Sequence, residues 1–312
     1  MRGSATGLGY DPTFGVFHCS DRTLTVNDLQ PHWDDLSTRE LKTQWHHANK
    51  DPKFVAVVTH GLDLKAGTMD DIRGVLQDFG GEVLQVGLPG HRLLTTDEGV
   101  EPYVSWAGHL RASLCVAKAR AKELGNLPSF YVGFSLGGAL YEEILSQKIE
   151  DTYRMDGVVL FAPAISLRFY AYLARLFFVF GEDFSLPSFI PEPYRVMYGI
   201  KMKSFRSLFR LVDQLHSNAD QSLNIPTLVF VDPYDELVSP SGIRSFIEHN
   251  ELSAWTVRET SNSTSILKGT FRHLNFGKES LGVKSWIEVR RELVTHLFKS
   301  VGWEPPSYSY GF

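Results

Sequence analysis

From Phe54 onward the chain alternates short, almost wholly apolar runs with stretches whose apolar positions recur every three or four residues. The short runs lack the in-out alternation of a half-exposed strand, so they predict strands buried on both faces of a sheet. Those strands fall at 54–59, 82–86, 129–133, 157–161, 227–231 and 254–258, with helices predicted between them at 68–79, 103–124, 136–146 and 241–249. A last helix over 284–299 lines up Trp286, Val289, Leu293 and Leu297 on one stripe. Strands that alternate with helices in this way predict an α/β fold, a mostly parallel sheet flanked by helices. Ahead of it the pattern is weaker: 14–19 has the character of an edge strand and 38–47 some helical character. No internal repeat or low-complexity tract interrupts the chain.

Residues 166–215 break the alternation. Twelve of these 50 positions are aromatic, about twice the 12% of the whole chain. The stretch 168–180 is apolar all round except for Arg168 and Arg175 and is shorter than the roughly 20 residues a bilayer-spanning helix needs. A cap laid over an apolar pocket fits it better. The expected organisation is therefore an N-terminal segment, 1–53, a core domain made of 54–165 and 216–312, and an inserted aromatic-rich cap, 166–215.

Composition narrows the function classes. A chain of 312 residues with 43% hydrophobic content buries a large core, and its formal charge of −5 with no long basic run argues against a nucleic-acid groove. Against that background the 166–215 segment is net +3, with seven basic and four acidic residues. The first residues, Met1 to Gly7, carry no apolar export segment, so a cytoplasmic location is the expectation. Cys19 and Cys115 lie far apart with no metal-type spacing and are read as buried thiols. No histidine pattern calls for a metal, and no cofactor is implied.

Candidate chemistry centres on Ser129-Phe130-Tyr131-Val132-Gly133-Phe134-Ser135-Leu136-Gly137-Gly138-Ala139. An apolar strand runs into a Gly-x-Ser-x-Gly turn and then a helix, the local structure of a nucleophile elbow. A serine on so tight a turn is forced outward, and side chains two before and two after it would collide, which accounts for Gly133 and Gly137. The helix that follows aims unpaired N–H groups and its positive end at any negative charge beside Ser135. By itself the triplet is a weak signal; partners must supply the specificity.

An activated serine needs a base, and the base needs a carboxylate to orient it. Thr227 to Val231 is a buried strand ending in Asp232-Pro233-Tyr234-Asp235-Glu236, which delivers carboxylates to the carboxyl edge of the sheet, where ligands bind in this architecture. Asp235 is the candidate acid, Asp232 its main rival and Glu236 a weaker one. Past the last strand, Gly269 to Asn275 is a loop that sets His273 between apolar neighbours as the candidate base. At the end of the first strand, His60-Gly61-Leu62 offers the Leu62 N–H as a partner to the Leu136 N–H in an oxyanion hole.

The serine, acid and histidine follow one another in the order of the α/β-hydrolase fold. The chain resembles that family from about residue 54 to its end, and in particular its capped serine-esterase, monoacylglycerol-lipase-like and lysophospholipase-like branch. Four motifs carry the resemblance: Thr59-His60-Gly61, Leu88-Pro89-Gly90-His91-Arg92, Gly133-Phe134-Ser135-Leu136-Gly137-Gly138, and Asp232 to Pro240. It implies that Asp235 is the catalytic acid, since Asp232 stands where the family commonly has glycine. His60 and His91 are then braces of their turns. The expected activity is hydrolysis of carboxylic esters with lipophilic acyl chains, a lipid ester or lysophospholipid, through an acyl-enzyme. Phe134, Phe169, Tyr172 and Phe177 are the candidate substrate-binding residues. Peripheral membrane contact through the cap is a candidate partner interaction. Two other readings stand beside this one: an acyl thioesterase, and a non-catalytic ligand-binding protein of the same fold.

Overall fold

The computed structural model describes residues 19, 25–29, 42–90, 101–149, 151–260 and 271–306. In chain order the elements are β1 (Gln44–His46), β2 (Phe54–Thr59), α1 (Asp70–Asp78), β3 (Gly81–Val86), α2 (Pro102–Glu123), β4 (Ser129–Phe134), α3 (Leu136–Ser146) and β5 (Gly157–Phe161). There follow a 3-10 helix over Phe169–Phe180, β6 (Ser185–Pro187), β7 (Gly199–Lys201), α4 (Met202–Asn218), β8 (Thr227–Val231), α5 (Pro240–His249), β9 (Trp255–Glu259), α6 (Lys278–Leu281) and α7 (Val283–Ser300).

Seven strands form one sheet in the order β1-β3-β2-β4-β5-β8-β9, parallel throughout except for β1. Every residue of β2, β3, β4, β5 and β8 is buried, as their unbroken apolar runs require. Alternate side chains feed two separate cores. Val55, Val57, Leu84, Tyr131, Leu160 and Val229 pack toward α2, α3, α4 and α5, whereas Ala56, Val58, Phe130, Val132, Val159 and Phe230 pack toward α1 and α7. A seventh of the way into the chain the expectation fails: within 38–47, residues 44–46 are a strand paired antiparallel with β3. An open edge with unpaired peptide groups outweighs weak helical character. Of the 14–19 edge strand only Cys19 is described, and it is not a thiol: Cys19 and Cys115 are joined in a disulfide that ties the N-terminal segment to α2.

Between β5 and β8 the chain forms the 3-10 helix, the two-stranded β6–β7 hairpin and α4. Leu208, Leu211, Val212 and Leu215 of α4 are buried in the core shared with α2 and α3, and the expected division at 215/216 falls inside this helix. At the other end, an antiparallel bridge between Leu167 and Val238 fastens the start of the segment to the loop after β8.

Candidate active site

Strand order reverses at β2: β3 lies on one side of it and β4 on the other. The carboxyl ends of β2 and β4 are therefore the place where doubly wound sheets bind ligands. Ser135 stands there, between the end of β4 and the start of α3, with φ 50° and ψ −112°. A non-glycine residue in this region is strained by on the order of 1–3 kcal/mol, held here by surrounding bonds. Its N–H donates to the Phe161 carbonyl at 2.9 Å, and its own carbonyl accepts from Ala139 and Ala164 at 3.1 and 3.0 Å. The flanking glycines are required by space: a Cβ on Gly137 would lie 2.7 Å from the carbonyl oxygens of both Thr59 and His60, and one on Gly133 would lie 2.8 Å from the backbone of Gly138.

Ser135 Oγ lies 2.9 Å from His273 Nε2, and His273 Nδ1 lies 2.8 Å from Asp235 Oδ2. All three side chains are buried. The other oxygen of Asp235 accepts the N–H groups of Leu237 and Val238, each at 2.8 Å, so the carboxylate is fixed before it meets the imidazole. With Asp235 accepting from Nδ1, the Nε2 lone pair faces the serine hydroxyl, the tautomer a general base needs.

The rival carboxylates have other partners. Asp232 accepts the Tyr234 N–H at 2.8 Å and lies 3.7 Å from the Arg272 guanidinium. Glu236 accepts the N–H groups of Arg272 and His273. Arg168, at the head of the 3-10 helix, donates to the carbonyls of Asp235 and Pro233 at 2.8 and 3.2 Å, and the Tyr170 hydroxyl donates to the Glu236 carbonyl. Sequence reading missed these braces. For Glu236 the signal was its place beside the acid; for Arg168 it was a lone charge at the head of an apolar run.

The loop after β2 comes within van der Waals reach of the serine: a Cβ on Gly61 would lie 3.0 Å from Ser135 Cβ. His60 Nε2 accepts the Leu88 N–H at 3.0 Å, so Nδ1 carries the proton and donates to the Gly61 carbonyl at 2.8 Å. Because a peptide unit is planar and trans, holding the Gly61 carbonyl aims the Leu62 N–H the opposite way. The same logic applies to Leu136, whose peptide partner is the Ser135 carbonyl held by Ala139 and Ala164. Neither N–H donates to another group among the described residues. His91 lies outside the described residues.

The four candidate substrate residues are not brought together. Phe134 is buried, with its ring 5.0 Å from that of His273 and 4.4 Å from that of Phe276. Phe169 stands in solvent, Tyr172 stacks on Phe209 of α4, and Phe177 stacks on Phe184 ahead of β6. Among the described residues none of these last three makes a ring or hydrogen-bond contact with Ser135, Asp235 or His273. No group of histidine, cysteine and acidic residues with metal-binding geometry occurs among the described residues.

No protein-family model matches the sequence, and no curated protein does. Solved structures do. The fold is similar to that of the monoacylglycerol lipase of Paleococcus ferrophilus, with a TM-score of 0.59 at 20% identity over 83% of this chain and 99% of that one. It is also similar to a soluble variant of the monoglyceride lipase of Saccharomyces cerevisiae crystallised with a substrate analogue, with a TM-score of 0.62 at 15% identity over 86% and 98% of the two chains. Est1E of Butyrivibrio proteoclasticus, with ferulic acid bound, gives a TM-score of 0.54 at 12% identity over 85% and 98%. The chain has the α/β-hydrolase fold.

Proposed function

We propose that the protein hydrolyses carboxylic esters of lipophilic acyl chains by acyl transfer through Ser135. The observation that carries this reading is the continuous hydrogen-bonded line from Ser135 Oγ through His273 to Asp235. Oγ attacks the ester carbonyl carbon while its proton passes to His273 Nε2, and the carbonyl electron pair moves onto oxygen beside the Leu62 and Leu136 N–H groups. Collapse of the adduct expels the alcohol, which takes the proton from His273. Water then repeats the sequence on the acyl-enzyme, releasing the acid and restoring the serine. Asp235 keeps the imidazole oriented and stabilises its charged form.

Lipophilic substrates are favoured by the aromatic 166–215 segment, taken as the cap, and the lipases among the structural neighbours support the same class. The test is Ser135→Ala and Asp235→Asn against an ester series of increasing chain length, with fluorophosphonate labelling of the wild type. Ser135→Ala should abolish turnover and labelling. Asp235→Asn should lower kcat by on the order of 10⁴-fold, and Asp232→Asn by less than about tenfold. Full turnover by Ser135→Ala would sink the reading.

One further observation favours a lipid surface as the partner of the cap. In a 3-10 helix, residues three apart eclipse. Tyr170, Leu173, Leu176 and Val179 thus form one apolar row, 41%, 54%, 71% and 80% exposed, with Phe177 and Phe180 of the next row exposed beside it and Ala174 buried beneath. Among the described residues no helix is long and apolar enough to cross a membrane, so such a row would lie in the interface. Leu176→Glu with Val179→Glu should release the protein from sedimenting phosphatidylcholine–phosphatidylserine vesicles while leaving turnover of a water-soluble ester intact.

A further inference from the structure

Asp63 directly follows the residue whose N–H is assigned to the oxyanion, and nothing in the proposed reaction uses it. It is a carboxylic acid set between Leu62 and Leu64, it is 0% exposed, and its φ is 58°. A side chain costs energy in this left-handed region, least for Asn and Asp, and contacts from outside hold the conformation here. What holds it is the 194–197 stretch of the segment inserted between β5 and β8. Asp63 Oδ1 accepts the Met197 N–H at 2.8 Å, and the Asp63 carbonyl accepts the Val196 N–H at 3.1 Å. On the next residues, Leu64 forms an antiparallel bridge with Arg195, and the Lys65 N–H donates to the Tyr194 carbonyl at 3.2 Å.

The loop after β2 is thus clamped on two sides of Leu62. On the sheet side His60 holds the Gly61 carbonyl; on the other side Asp63 is anchored to a different part of the chain, 134 residues away in sequence. The first clamp lies within the core, where His60 is buried. The second exists only while the 194–197 stretch is seated. We infer that Asp63 is a positioning residue that couples the seating of the inserted segment to the aim of the Leu62 N–H, so that the oxyanion donor is in line only when the segment is closed over the loop. The inference rests on the acyl-transfer reading above.

Burial holds the Asp63 carboxyl above the usual aspartate range, disfavouring its charged form. An amide of the same shape that still accepts the Met197 N–H should therefore substitute for it. This separates the role from simple packing. Asp63→Gly removes the carboxyl while suiting the positive φ, so the loop keeps its backbone; Asp63→Asn keeps the acceptor. The readouts are kcat, KM, affinity for a boronic acid that forms a tetrahedral adduct on Ser135, and thermal stability, with Ser135→Ala run in parallel. Asp63→Gly should lower kcat by between about tenfold and 10²-fold, less than the 10²–10³-fold cost of deleting an oxyanion donor outright, with KM within about twofold. Affinity for the boronic acid should fall by a similar factor, and Asp63→Asn should restore most of both. A folded Asp63→Gly protein with wild-type kcat and boronate affinity overturns the inference, whatever its melting temperature. Wild-type turnover that survives Ser135→Ala instead removes the acyl-transfer reading, and this inference falls with it.

Discussion

The Glu236 carboxylate accepts the backbone N–H of His273 at 3.1 Å, so the residue next to the acid that orients the imidazole also grips the backbone from which that imidazole hangs. The same carboxylate takes the Arg272 N–H through both oxygens, at 2.9 and 2.8 Å. Two loops 37 residues apart in sequence are thereby joined beside the Asp235–His273 hydrogen bond.

Removing that grip should loosen the base without removing it. Glu236→Ala is expected to lower kcat by up to about 10²-fold, the scale of a misplacement near 1 Å, with little change in KM. Glu236→Gln, which keeps an acceptor, should fall between it and wild type. Steady-state kinetics on a soluble ester gives the answer, and a loss confined to KM would contradict the positioning role.

The tight approach of α3 to the end of β2 makes a second prediction. Gly137→Ala drives a Cβ into two carbonyl oxygens that the sheet cannot move, 2.7 Å away, and should destabilise the fold by about 1–3 kcal/mol and cost activity by shifting the Leu136 N–H. Gly74, inside α1, has nothing within 4 Å of its added Cβ. Gly74→Ala should raise stability by about 0.5–1 kcal/mol. Urea denaturation of the two variants tests sterics against helix propensity on the same scaffold.

The contrast between these glycines also shows what a sequence reveals. Gly133, Ser135 and Gly137 are legible because one turn imposes all three at fixed spacing, and the buried strands are legible because both their faces must be apolar. Asp235 follows, since it sits just beyond a readable strand, and His273 from the loop that comes after the last one. What is illegible depends on pairing between distant segments. Residues 44–46 become a strand only because β3 offers an edge, and Asp63, Arg168 and Glu236 acquire their roles from backbone groups 134, 67 and 37 residues away. The inserted segment masks α4 for another reason: its aromatic density obscures the ordinary stripe of Leu208, Leu211, Val212 and Leu215.

The Cys19–Cys115 disulfide replaces two expected thiols and stands against the cytoplasmic expectation, since such bonds persist mainly in oxidising compartments. It closes a loop of 96 residues. Loss of so long a cross-link should cost about 2–5 kcal/mol. Paired Cys19→Ser and Cys115→Ser substitutions should lower the denaturant midpoint accordingly and leave kcat of the folded protein unchanged, because the bond anchors α2 and not the serine, acid or histidine. Protein purified without reductant should show no free thiol by reaction with a chromogenic disulfide; two free thiols would contradict the bond.

Glu142 supplies a pH dependence whose sign is fixed by its surroundings. It lies on α3, fully buried, with neither carboxylate oxygen paired among the described residues, and burial raises its pKa well above the usual 4.5. A folded-state pKa above the unfolded value means that the native protein holds its proton more tightly. Glu142 is then no burden below pH 4.5, and as pH climbs from there toward the folded pKa the native state loses stability by up to about 1.4 kcal/mol per pH unit. Glu142→Gln keeps the shape and abolishes the titration. Its melting temperature should match wild type near pH 4.5 and exceed it as pH rises above that, a divergence that thermal unfolding at a series of pH values would reveal. Parallel curves would mean that Glu142 is paired in solution and is not the buried, proton-holding acid that its place on α3 implies.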